Sequence, residues 1–129
     1  MRIILTILLL TNLLYPQSFG QNKVQYESFD WEYIVSPNTN IYYYGDNKDL
    51  AIFTSKVAER SIEQIGKHLR WRSDKPIKII VYTSHNDFQQ TNVVNVYMSE
   101  GIGGVTELYK NRIVIPFEGS YEQFEHVIH

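Results

Sequence analysis

Lys48-Asp49-Leu50-Ala51-Ile52-Phe53-Thr54-Ser55-Lys56-Val57-Ala58-Glu59-Arg60-Ser61-Ile62-Glu63-Gln64-Ile65-Gly66-Lys67-His68-Leu69-Arg70 is the stretch on which the fold turns. Leu50, Phe53, Val57, Ala58, Ile62, Ile65 and Leu69 recur at steps of three and four, which predicts a long helix with one face buried against a sheet or another helix. Asp46 is the candidate cap and Asp49 lies in the first turn. Lys67, His68 and Arg70 fall where cations meet the negative end of the helix dipole. With Arg72, Lys75 and Lys78 they form a basic cluster that could hold an anion, although the dipole and ordinary solvation already account for it. After the turn Asp74-Lys75-Pro76, the strand Ile77–Tyr82 points Ile77, Ile79 and Val81 one way and Lys78, Ile80 and Tyr82 the other. Both faces are largely apolar, which places this strand near the middle of a sheet covered by helices.

Working outward, Trp31–Val35 reads as a strand, Ser36–Asn40 as a turn, and Ile41–Tyr44 as a second strand ended by Gly45. The tyrosines Tyr42, Tyr43 and Tyr44 could make an aromatic platform for a sugar, but tyrosine equally suits a half-buried sheet surface. Downstream, Ser84-His85-Asn86-Asp87 has the spacing of a capping box and starts a short helix. His85 is a possible ligand or acid/base group, though it has no partner at ligand spacing. Gly101-Ile102-Gly103-Gly104 leads into a hairpin of Val105–Tyr109 and Arg112–Phe117 and lacks both phosphate-loop spacings. Pro116 puts the end of the second strand at a sheet edge or at its exit. The glycines suit a turn or a close backbone approach, including that of an extended peptide docking on the strand edge. Ser120 with Gln123 then starts a helix with Tyr121, Phe124, Val127 and Ile128 on one stripe. No stop signal follows, so this helix is expected to continue. The predicted class is α+β: a small mixed sheet with a long packing helix, a hairpin and an incomplete C-terminal helix, the helices on one side.

Arg2 followed by the apolar run Ile3–Leu14 has the form of a signal peptide, with cleavage expected after Gly20. The run falls short of the length that spans a bilayer, which favours a cleaved signal peptide over the alternative of an uncleaved N-terminal membrane anchor. Gln21–Asp30 is a polar leader, and residues 31–129 form one domain or part of one. Without Arg2, eleven Lys and Arg face fourteen acidic residues, a charge of −3 that argues against nucleic acid as a partner. The chain has no cysteine, which excludes disulfides and thiol-held zinc and leaves His, Asp and Glu as metal ligands. Export without disulfides points to a bacterial periplasm, cell envelope or secreted fraction. Glu122 with His126, and Glu125 with His129, stand four apart, a spacing that serves solvated pairs as readily as a loose metal clip.

The succession of a β-helix-β core, Gly103-Gly104-Val105-Thr106-Glu107, Ile113-Val114-Ile115-Pro116, Gly119-Ser120-Tyr121-Glu122-Gln123-Phe124 and His126-Val127-Ile128 resembles the front half of the peptidase MA-like metallohydrolases, the gluzincins. It is most similar to exported bacterial proteins in which that domain precedes a Tol-like β-propeller. The resemblance implies that Gly103, Gly104, Val105, Thr106 and Glu107 form the edge strand that aligns a peptide or protein substrate. It implies also that the last helix continues into His-Glu-x-x-His, whose histidines bind zinc while the glutamate acts on the metal-bound water. In that register His129 immediately precedes the first ligand and becomes that ligand only if the alignment slips by one. The catalytic residues then lie beyond this stretch, which binds no zinc and is inactive by itself. The alternative expectation is a non-catalytic secreted module that binds a glycan or peptide through Trp31, Trp71 and Tyr42 to Tyr44.

Overall fold

The computed structural model describes residues 27–91 and 101–129; the expected signal peptide and most of the expected leader lie outside them. Five strands form one mixed sheet in the order β1-β2-β3-β5-β4: β1 (Trp31–Val35), β2 (Thr39–Tyr44), β3 (Ile77–Tyr82), β4 (Val105–Glu107) and β5 (Arg112–Pro116). β2, β3 and β5 run parallel, while β1 and β4 flank them antiparallel. The α+β expectation holds: helix α1 (Lys48–Leu69) connects the parallel neighbours β2 and β3 and packs on the sheet. β3 is the central strand, as its two apolar faces require.

One face of the sheet meets α1 and the last helix, α3 (Tyr121–Ile128). Ile41, Tyr43, Ile79, Val81 and Ile115 from the strands pack there with Leu50, Ala51 and Ala58 of α1 and with Phe124 of α3. The other face is not bare. Phe88 of the short helix α2 (His85–Gln89) is fully buried there against Tyr82 and Val114, with Tyr44, Ile80 and Phe29 around it. The expectation that all helices pack on one side is therefore corrected, because β3 and β5 carry apolar side chains on both faces and one helical layer covers only one. Phe29 belongs to this second cluster, its ring 4.3 Å from that of Tyr44, so packing begins before Trp31.

Local signals were mostly met. Ser84 Oγ accepts from the Asp87 N–H at 3.1 Å and Ser120 Oγ from the Gln123 N–H at 3.3 Å, the two predicted N-caps. Asp46 does not cap α1. Asn47 occupies that position, and its side chain instead donates 2.8 Å back to the Tyr44 carbonyl. The stripe of α1 is buried only as far as Ser61; Ile65 and Leu69 are exposed, because the sheet ends beneath the helix before the helix itself does. The β1–β2 turn is tied to α1 by Glu59, which accepts from Asn38 N (2.9 Å), Asn38 Nδ2 (2.8 Å) and Thr39 Oγ1 (2.8 Å). Pro116 ends β5 opposite Tyr82, inside the sheet order, so it marks a strand exit and not an edge.

Candidate functional site

Of the segment singled out by resemblance, Gly103 to Glu107, only Val105–Glu107 forms the outer strand β4, and Gly103 and Gly104 lead into it. β4 pairs with β5 on one side, with Val105 opposite Val114, Thr106 opposite Ile113 and Glu107 opposite Arg112. Among the described residues no strand pairs with its other side. The glycines have packing reasons of their own. A Cβ on Gly104 would lie 2.6 Å from Ile115 Cγ2, and one on Gly103 would lie 3.3 Å from Val127 Cγ2. Gly104 thus lets the chain seat on β5, and Gly103 lets the segment before the strand lie close to α3.

That second contact brings the segment before the edge strand against the last helix. Gly103, Pro116, Glu118, Gln123 and Val127 line a small cleft of about 40 Å³ between them. The rings of Phe53 and Phe117 hold the start of α3 through Tyr121, at 4.8 and 5.0 Å, and Arg60 pairs with Glu125 at 3.2 Å farther along. Phe124 is buried, whereas Tyr121 and Val127 remain half exposed. Val127 is the residue of α3 turned to Gly103. His129 lies instead beside Gln64, Ile65, His68 and Leu69 of α1.

Glu107 is engaged within its own hairpin, paired with Arg112 and, at 3.0 Å, with Lys110. Burial works against its charge, but the two cations outweigh burial and hold the carboxyl below its ordinary range. This braces the hairpin, while Val105 packs against the cluster of Tyr82, Phe88 and Val114 and Thr106 is exposed. His85 sits with Nδ1 3.4 Å from Glu118, just past the ends of the neighbouring strands β3 and β5. Sequence reasoning gave no signal for this pair, since 33 residues separate its members.

Among the described residues no three His, Asp or Glu side chains converge as a metal site. His126 lies in α3 and His129 at its C-terminal cap, and no third donor joins them among the described residues. The tyrosines of β2 do not form one platform: Tyr43 is buried on the α1 face, while Tyr42 and Tyr44 point to the other. Tyr42 stacks on Tyr33 at 5.6 Å. Tyr44 donates 2.6 Å to Asp87 Oδ2 and accepts 3.0 Å from the Thr83 N–H. Burial and the Asp87 bond push its hydroxyl up to about 12. Comparison with protein-family models, with curated proteins and with solved structures gave no match.

Proposed function

We propose that this chain supplies the sheet, the substrate-aligning edge strand and the first turns of the active-site helix of an exported zinc metallopeptidase-like domain. The observation that carries the reading is the contact of Gly103 with Val127, which brings the segment leading into the edge strand against α3. A peptide paired with the outer edge of β4 would extend the sheet by one strand and lie across the end of the helix. A helix continued in the same register presents the positions three and seven beyond Val127 on that same face. Those are the two histidine positions of the motif the resemblance implies. His129 lies toward α1, which agrees with a register in which it precedes the first ligand.

The reading is tested in the gene and then in the protein. The frame downstream of His129 should encode His-Glu-x-x-His at once; a frame that continues without it defeats the proposal. The protein it encodes should cleave members of a peptide library, and a chelator should abolish the cleavage.

A further inference from the structure

We infer that the end of the molecule formed by the start of β3, the start of β5 and the end of α1 is a docking surface for an anionic lipid bilayer. Two turns meet there. Asn111, in the β4–β5 turn, donates from Nδ2 to the Pro76 carbonyl at 3.0 Å, and its own carbonyl accepts from the Lys78 N–H at 3.1 Å. The loop that follows α1 is thereby fastened to the hairpin. Apolar side chains protrude from both: Leu108 is 83% and Tyr109 107% exposed on the hairpin, Leu69 is 69% exposed at the end of α1 and Trp71 53% exposed on the loop after it. Among the described residues these apolar groups keep half or more of their surface exposed, and Trp and Tyr suit a water–lipid boundary because one end of each ring is polar.

Charge separates this surface from an ordinary protein contact. Residues 63–78 and 107–112 contain seven of the twelve Lys and Arg but only three of the fourteen Asp and Glu, so this end is positive by four in a chain whose net charge is −2. The acids collect elsewhere, with Asp46, Asp87 and Glu118 just beyond the opposite ends of β2, β3 and β5. Cations around protruding leucine and aromatic side chains fit anionic headgroups over acyl chains. An acidic glycan would use the cations but would give Leu69 and Leu108 nothing to bury against.

The test uses the full chain carrying Trp31→Phe, which leaves Trp71 as the sole tryptophan. Vesicles with brominated acyl chains, either purely phosphatidylcholine or with about a third phosphatidylglycerol, are titrated while Trp71 emission is read. The expected result is quenching by the anionic vesicles, reversed by salt, with a half-maximal lipid concentration raised about tenfold by Arg72→Glu with Lys75→Glu and by Leu108→Ser with Tyr109→Ser. Circular dichroism of each variant should match the parent. Equal quenching by both vesicle types, or none by either, overturns the inference. So does a soluble polyuronate that shifts Trp71 emission equally in the parent and the Leu108→Ser, Tyr109→Ser variant, an outcome that assigns the cations to a glycan.

Discussion

Tyr44 shows how one side chain joins separate parts of the chain. Its ring packs on Phe29 and Trp31, and its hydroxyl bridges Thr83 and Asp87. Replacing it by Phe keeps the ring and removes the bridge, at a cost of about 1 to 2 kcal/mol near neutral pH. The folded hydroxyl titrates at about 12 against an ordinary value of 10, so the native state holds this proton more tightly than the unfolded chain does. The contribution is therefore complete below pH 10 and is lost as pH rises toward 12. Urea midpoints of wild type and Tyr44→Phe, compared between pH 8 and 12, should converge over that window; a gap independent of pH would refute the assignment. The spacing of Tyr42 to Tyr44 showed alternation but not partners, because Thr83 and Asp87 are about forty residues away.

At the scale of elements, α3 is held by its cap and by one buried ring. Its eight residues are too few to be helical without support. Ser120→Ala removes the acceptor for the Gln123 N–H and should cost about 1 kcal/mol. Amide exchange in Tyr121–Ile128 should accelerate selectively, whereas a change spread evenly over the sheet would mean that Ser120 acts otherwise. This helix was legible because its start signals are local. The cap of α1 was not: Asp46 and Asn47 are both suitable residues, and the choice depended on how Gly45 turned the chain out of β2. The buried length of α1 was also invisible, since periodicity registers a stripe but not where the sheet beneath it stops.

For the molecule as a whole, the consequence of a mixed sheet is an uneven distribution of stability. β3 and β5 are paired on both sides and covered on both faces, whereas among the described residues β1 and β4 each have one paired side. Amides of Ile79, Val81, Val114 and Ile115 should exchange slowest, close to the rate set by global unfolding, and those of β1 and β4 faster. Uniform protection across the five strands would contradict the layered core. The same edge exposure that lowers protection at β4 is what the proposed alignment of a peptide requires.

The sequence by itself determined the elements and the class of fold, because periods of two and three to four residues, caps and turn residues act over a few positions. It determined likewise that β3 lies inside the sheet and that cations gather after α1. Only the tertiary structure decided which strands neighbour one another, that α2 covers the second face, and that Gly103 lies against Val127. It also joined the β4–β5 turn to the end of α1, so that Leu108, Tyr109 and Trp71 share one basic surface. These relations depend on contacts between residues far apart in the chain, and no local pattern encodes which distant partner a buried face will meet.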